Sequence, residues 1–182
     1  MRGDFQVPPA FVQALRQNQS FLLVSHVGLD GDHLGSMLAL QQALTKLGKH
    51  VVAYLPESVP PSLSRILFGL ENTSAELPNE KFDAVVALEC PTLGRMPKGF
   101  EPRKMAPLVL NFDHHQDNEN YGDLNWVLPD VAALGEMTFE LIQHLDVPLD
   151  SSMATALYVA ILTDTGSFQY SRVTPATHRR LS

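Results

Sequence analysis

Residues 107–115 read PLVLNFDHH, and this stretch decides the predicted fold. Its first six residues form a short apolar run, which is typical of a strand buried on both faces of a sheet. Asp113, His114 and His115 follow at the carboxyl end of that strand. Open α/β sheets bind their ligands at the carboxyl ends of their strands. An aspartate and two histidines at this place indicate metal chemistry rather than packing.

Apolar runs of similar length recur along the chain and alternate with segments of helical periodicity. Strands are predicted at residues 20–25, 50–55, 83–89 and 107–112. Helices are predicted from residue 8, over residues 33–47, 60–67, 131–145 and 150–162, and again from Thr174. Residues 163–166 are predicted to form a tight loop and residues 168–170 an extended segment. This alternation predicts an α/β fold, a doubly wound and mainly parallel sheet with helices on both faces.

The composition is that of an ordinary globular protein, with 182 residues of which 45% are hydrophobic and 18% charged. The formal net charge of -7 excludes a general basic patch for long nucleic acid, so a phosphate site would need bound cations. No stretch approaches the length of a membrane-spanning helix, which argues against a membrane partner. Cys90 is the single cysteine and cannot form an internal disulfide, which favours the cytoplasm. The oligomeric state is left open, a homodimer included.

Side chains that bind metals occur where predicted strands or helices give way to loops. The set comprises His26, Asp30 and Asp32 after the first strand, Glu89 after the third, Asp113, His114 and His115 after the fourth, and Asp164 after a helix. A parallel sheet collects such positions at one edge. Oxygen and imidazole donors without cysteine suit Mn²⁺, with Mg²⁺, Co²⁺ or Fe²⁺ as alternatives. The carboxylates suffice for two cations, which can clamp a phosphate ester when about 3.5–4 Å apart.

Three segments of the chain resemble the motifs of the DHH phosphoesterase superfamily, in the same order. They are HVGLDGDHLGS at residues 26–36, DHH at 113–115 and TDTGSF at 163–168. Shorter segments, at residues 120–126, 135–137 and 177–178, resemble the branch of bacterial oligoribonucleases that also dephosphorylate 3′-phosphoadenosine 5′-phosphate. The resemblance extends from about residue 20 to residue 178. It implies a manganese-dependent phosphoesterase that acts on short oligonucleotides or nucleotide 3′,5′-bisphosphates.

The resemblance also implies which residues hold the two manganese ions. His26 and Asp30 would bind one ion. Asp32, His114 and Asp164 would bind the other. The proposed chemistry is attack on phosphorus by a hydroxide that the two cations activate.

The remaining candidate residues complete this implied site. A carboxylate at position 89 would bridge the two ions, His115 would face the phosphate, and Asp113 would orient a histidine without binding metal itself. Glu89 departs from the aspartate that is usual in the family, and its side chain is longer by one carbon–carbon bond, roughly 1.5 Å. This departure predicts a changed metal spacing or a changed mode of carboxylate binding.

Other functions are left open by the sequence. Family enzymes carry a C-terminal substrate-binding domain, and residues 1–182 are predicted to be the metal-binding catalytic domain alone, a fragment of a longer protein. Within the superfamily, the rivals are a cyclic dinucleotide phosphodiesterase and an inorganic pyrophosphatase. The rival from another class is a non-catalytic metal- or nucleotide-binding module, disabled by Glu89 and by the missing domain.

Several side chains also have structural interpretations. Asp32 is a candidate N-cap for the helix that follows it, and Asp164 a candidate turn residue before Gly166. His33 has no partner in the motif pattern and is predicted to lie on the surface or on a helix face. Arg180, near the end of the sequence, would either favour an anionic substrate or cap a helix.

Overall fold

The computed structural model describes residues 5–181, which contain one sheet of six strands with every neighbouring pair parallel. The strands are β1 (Ser20–Ser25), β2 (His50–Tyr54), β3 (Thr73–Ser74), β4 (Ala84–Leu88), β5 (Leu108–Asp113) and β6 (Leu124–Val127). Their order across the sheet is β3-β2-β1-β4-β5-β6. The strand order reverses between β1 and β4, and ligands of open α/β sheets bind in the crevice at such a point.

Seven α-helices accompany the sheet in the described part of the chain. They are α1 (Pro9–Gln17), α2 (Gly31–Lys46), α3 (Pro61–Ser64), α4 (Pro102–Met105), α5 (Leu134–His144), α6 (Ser151–Asp164) and α7 (Pro175–Arg180). Within residues 5–181, none of them combines the length and the hydrophobicity that crossing a lipid bilayer requires.

The sheet is covered on both faces, because each strand sends alternate side chains to opposite sides. In β1, Phe21 and Leu23 belong to a large core that includes residues of α1, α2, α5 and α6, whereas Leu22 and Val24 belong to a smaller core on the other face. The connection from β1 to β2 runs through α2 over the large core, and that from β4 to β5 runs through α4 over the small one. The structure therefore confirms the predicted doubly wound α/β fold.

Two strands, β3 and β6, were not predicted, because both are short edge strands without a continuous apolar run. β3 has two residues, and in β6 only Trp126 is buried. The indole ring of Trp126 stacks on Phe112 of β5 with 5.0 Å between ring centroids. Pairing with a neighbouring strand, rather than local hydrophobicity, defines these two strands.

The segment after α6 differs from its prediction. α6 continues to Asp164, so the loop predicted for residues 163–166 begins too early. The extended segment predicted for residues 168–170 is also wrong. Ser167 and Phe168 have left-handed backbone angles, with φ of 57° and 66°, and the chain turns there instead of forming a strand. Asp164 consequently lies on the last turn of a packed helix, which defines its position more firmly than a loop would.

Arg180 connects the last helix to α5 through a buried ion-pair cluster. Its Nη1 donates to Oε2 of Glu136 at 2.7 Å and its Nε to Oε1 of Glu140 at 3.0 Å, and all three side chains are more than nine-tenths buried. The guanidinium carbon also lies 4.7 Å from the ring centre of Phe5. Arg180 is therefore an ion-pair partner of α5, a role that neither of the two predictions for this residue included.

We expect Arg180→Lys to lower the free energy of unfolding by about 2 kcal/mol, because one ammonium group cannot replace a planar fork that bonds two carboxylates. One glutamate would then stay buried without its charge partner. Urea unfolding of the purified chain measures the change. The matched control is Arg103→Lys, whose pair with Asp123 is exposed and should contribute less than about 1 kcal/mol. Equal losses in the two variants would contradict the prediction.

Candidate metal centre

The loop between β1 and α2 places two predicted metal ligands side by side. His26 follows β1 directly and is buried, and its Nδ1 lies 2.8 Å from the carbonyl oxygen of Val27. A proton on Nδ1 would be donated to that oxygen and would leave the Nε2 lone pair for a cation. This Nε2 lies 3.5 Å from Oδ2 of Asp30.

α2 begins two residues earlier than predicted, and its N-cap is Asp30 rather than Asp32. Oδ1 of Asp30 accepts a hydrogen bond from the backbone N–H of His33 at 3.0 Å, and Nδ1 of His33 lies 3.5 Å from the backbone nitrogen of Asp30. The two contacts form a capping box. Burial acts to raise the pKa of Asp30, but the bonds from the His26 ring and the His33 backbone lower it to about 2. Asp30 is therefore ionised at neutral pH.

Asp32 caps a different helix from the one expected. It is buried in the first turn of α2, and its Oδ2 and Oδ1 accept from the backbone N–H groups of Leu134 and Gly135 at 2.6 and 2.9 Å. These N–H groups open α5, whose own N-cap residue, Ala133, supplies no side-chain bond. Asp32 therefore satisfies donors that the start of every helix leaves without intrahelical partners. No local pattern could predict this, because the bonded residues are 102 and 103 positions apart.

Glu89 follows β4 with a strained backbone and an almost completely buried carboxylate. Its φ is 52°, an angle that side-chain-bearing residues adopt rarely and often at functional sites. Oε1 lies 2.8 Å from Nε2 of His114. Oε2 is buried and receives no hydrogen bond from any residue between 5 and 181.

The Asp113-His114-His115 triplet is organised around the aspartate. Asp113 is fully buried at the end of β5, and its Oδ1 accepts from the backbone N–H groups of His114 and His115 and lies 2.7 Å from Nδ1 of His115. Oδ2 accepts from the side-chain amide of Asn118. Burial opposes ionisation of Asp113, yet the bonds from His115 and Asn118 hold its pKa below the usual value. This is the geometry that an orienting role for Asp113 requires.

His114 lies between the carboxylates of three separate elements. Its Nδ1 is 3.1 Å from the carbonyl oxygen of Val131, which a proton on Nδ1 would bond. Its Nε2 lies 2.8 Å from Glu89, 3.6 Å from Asp164 and 3.8 Å from Asp32. An imidazole with one nitrogen bonded to a backbone carbonyl and the other facing carboxylates has the arrangement of a metal ligand.

The candidate ligands fall into three sets, in each of which the ligand atoms lie within 4.8 Å of one another. The sets are His26, Asp30, His33 and Glu89; Glu89, His114 and His115; and Asp32, His114 and Asp164. Glu89 and His114 each occur in two sets, so the three sets form one continuous site. All seven residues named as metal ligands or substrate contacts from the sequence lie in this site, and Asp113 adjoins it through His115.

Electrostatics at the site favour the presence of cations. Burial, together with repulsion from Glu89, raises the pKa of Asp32 well above its usual value. Burial, and then repulsion from Asp30 and Asp164, likewise raises the pKa of Glu89. Divalent cations would offset the repulsion between these carboxylates, and one of them could bind the Oε2 of Glu89 that lacks a hydrogen bond. The residues present therefore fit a pair of divalent cations.

The donor atoms also fit hard or borderline cations rather than a thiolate site. Carboxylate oxygens and imidazole nitrogens make up all three sets. Cys90 adjoins Glu89 but is buried in the smaller core. Burial raises the pKa of its thiol to about 12, so it stays protonated and is a poor ligand.

His33 also lies at the site, although no motif in the sequence indicated it. Its side chain is 1% exposed, not on the surface, and its ring packs edge-on against His26 with 4.8 Å between centroids. Burial lowers the pKa of His33 to about 4, so the ring is neutral at pH 7. The one local signal was its spacing of three residues from Asp30, which places both side chains on the same side of the first helical turn.

Comparison with known proteins identifies relatives over most of the chain. The model of the DHH family, N-terminal domain, matches residues 20–161. A relative from Thermus thermophilus, named bifunctional oligoribonuclease and PAP phosphatase NrnA, is 37% identical over 161 residues, which are 84% of this chain and 45% of the relative. The protein of the same name from Bacillus subtilis is 25% identical over 169 residues, 91% of this chain and 52% of that protein. The chain thus spans about half the length of these relatives.

Solved structures share the fold. An exopolyphosphatase-related protein from Bacteroides fragilis superposes with a TM-score of 0.83 at 23% sequence identity, over 94% of this chain and 54% of that one. The exonuclease RecJ, solved bound to manganese, superposes with a TM-score of 0.54 at 16% identity, over 94% of this chain and 44% of RecJ. At these identities the likeness concerns the fold alone.

Proposed function

The chain belongs to the DHH family, and from this premise we propose that it is a metal-dependent phosphoesterase that acts on short oligonucleotides or nucleotide 3′,5′-bisphosphates. The observation that carries the proposal is the continuous site in which Glu89 and His114 join three sets of carboxylates and imidazoles. The relatives named oligoribonuclease and PAP phosphatase support the choice of substrate.

Two cations are proposed to share Glu89 as their common ligand. His26 and Asp30 would hold one of them, and Asp32, His114 and Asp164 the other. When bound, two such ions activate water at neutral pH and offset the negative charge of a phosphate. Manganese is the proposed metal because hard carboxylate oxygens combined with imidazole suit it, with Mg²⁺ or Co²⁺ as substitutes.

His115 is proposed to contact the phosphate. Its side chain is about one-third exposed, unlike the buried ring of His114. With the Nδ1 proton donated to Asp113, the Nε2 of His115 is available to a phosphate oxygen or to the departing alcohol. Asp113 would act through His115 as a positioning residue, since it holds both the ring and the backbone of that residue.

The alternative of a module disabled by Glu89 has less support from the geometry. A glutamate at this position reaches His114 at 2.8 Å and belongs to two ligand sets, so its extra length is accommodated. The single buried cysteine is consistent with action in the cytoplasm, which we propose as the location.

An assay with short RNA tests the proposed function. We expect the purified chain with Mn²⁺ to release mononucleotides from RNA of two to five nucleotides, and Glu89→Asp to retain activity within about tenfold of the native chain. Activity in Glu89→Asp combined with none in the native chain would instead support the disabled module.

Parallel substrates separate the rivals within the superfamily. Pyrophosphate and a cyclic dinucleotide are incubated under the same conditions, and phosphate or nucleotide release is measured. Preferred turnover of either one over short RNA and over 3′-phosphoadenosine 5′-phosphate would contradict the proposed substrate class. Elemental analysis after manganese loading that finds no bound metal would contradict the proposal as a whole.

A further inference from the structure

We infer that His33 is a further ligand of the cation held by His26, Asp30 and Glu89, an inference that rests on the proposed function. None of the motifs that mark the family assigned a role to this residue. Position 33 lies on the first turn of α2, directly after Asp32, and its ring packs edge-on against the ring of His26.

The inference rests on two buried atoms that lack a hydrogen-bond partner. Nε2 of His33 is buried and has no hydrogen-bond partner within residues 5–181, and the same holds for Oε2 of Glu89. Buried polar atoms nearly always have partners, and each one without a partner carries an energetic cost. His33 and Glu89 belong to one set with His26 and Asp30, in which one donor atom of each residue, either ring nitrogen or either carboxylate oxygen, lies within 4.8 Å of the others. A cation among these four residues would accept both lone pairs.

The surroundings of the ring are compatible with metal binding through Nε2. For that mode the ring proton must lie on Nδ1. Nδ1 would then no longer accept the capping-box hydrogen bond from the backbone N–H of Asp30, 3.5 Å away, and would donate instead to Oδ1 of Asp30, 3.6 Å away. Metal-binding histidines usually donate their second ring N–H to a carboxylate. A shift of a few tenths of an ångström would convert the contact with Oδ1 into such a hydrogen bond.

The competing explanation is that His33 serves only as the capping-box residue of α2. A glutamine at the same position is a standard capping-box residue, because its side-chain oxygen accepts from the N-cap N–H. His33→Gln therefore keeps the helix cap and removes the ring nitrogen, which separates the two roles. His33→Glu keeps the cap and restores an anionic oxygen ligand.

The test is manganese binding without substrate, measured on the native chain and three variants. Calorimetric titration is expected to show two Mn²⁺ per native chain and, in His33→Gln, an affinity at least about tenfold weaker for one of them. His33→Glu should regain much of that affinity. Pulsed electron paramagnetic resonance should show one fewer histidine nitrogen coupled to Mn²⁺ in both variants. The control is His50→Gln, because His50 is exposed at the opposite end of β2 from the site.

The result that would overturn the inference is a His33→Gln chain with native affinity for both ions and unchanged nitrogen couplings. That result would leave the proposed phosphoesterase function intact, because both ions would still bind. A native chain that binds no Mn²⁺ would overturn the inference and the proposed function together. Circular dichroism and urea unfolding in the presence of a chelator check that each variant is folded.

Discussion

Glu89→Gln is expected to lower the rate of manganese-dependent hydrolysis on the order of 10²–10³-fold, the effect that removal of one key charge-stabilising group has in other enzymes. Glu89 belongs to two of the three ligand sets, and its Oε1 lies 2.8 Å from His114. The amide has the shape of the carboxylate but no charge, so it would hold two cations poorly. Steady-state hydrolysis of a trinucleotide with saturating Mn²⁺ measures the loss.

The same substitution should stabilise the metal-free protein. Burial and repulsion from Asp30, Asp164 and Asp113 raise the pKa of Glu89 above its usual value of 4.5, so the folded state favours the protonated form. The native chain is then most stable below about pH 4.5 with respect to this group and loses stability as the pH rises towards the folded-state pKa. Glutamine is uncharged throughout, so the variant should be more stable than the native chain at pH 8 by about 2 kcal/mol.

Urea unfolding with a chelator at pH 5 and pH 8 tests whether Glu89→Gln stabilises the metal-free protein. The advantage of Glu89→Gln over the native chain should be larger at pH 8 than at pH 5. Glu101→Gln is the control, since Glu101 is exposed and pairs only with Lys104 in the described residues. Native-like hydrolysis by Glu89→Gln would show that the carboxylate is not a metal ligand. A metal-free variant less stable than the native chain at pH 8 would show that the carboxylate is not a source of repulsion.

Asp113→Ala is expected to lower the free energy of unfolding by about 3–5 kcal/mol. The fully buried carboxylate accepts from the backbone N–H groups of His114 and His115, from the His115 ring and from Asn118. Alanine would leave all four donors without this acceptor. Hydrolysis should also fall by about 10–100-fold, because His115 would no longer be held in one orientation.

The pH dependence distinguishes the loss of Asp113 from a packing defect. Hydrogen bonds hold the pKa of Asp113 below its usual value of 3.8 despite burial. Its stabilising contribution is therefore present above about pH 3.8 and is lost as the pH falls through the lower folded-state pKa. The stability difference between the native chain and Asp113→Ala should shrink below that pH. Asp117→Ala, at an exposed position four residues away, is the control and should change neither stability nor rate. A pH-independent difference would point to packing alone.

Elements whose structure is determined by their own short segment of sequence were predictable from that segment. The buried strands β1, β4 and β5 are continuous apolar runs, and their predicted bounds differ from the observed ones by at most one residue. The start of the helix predicted over residues 150–162 is also correct, since α6 begins at Ser151 with Asp150 as its N-cap. β3 and β6 escaped prediction because a neighbouring strand, not their own composition, makes them strands.

The amino-acid sequence by itself determined which chemical groups lie at the carboxyl ends of the strands. It supplies carboxylates and imidazoles at the ends of strands and helices, and a parallel sheet places those ends together. Only the tertiary structure decided how these groups are used. Asp32 caps α5 instead of its own helix, Glu89 adopts a left-handed backbone, and His33 lies buried beside His26. Local sequence governs backbone propensity and side-chain type, whereas the distance between two strand ends depends on the order of strands and on helix packing.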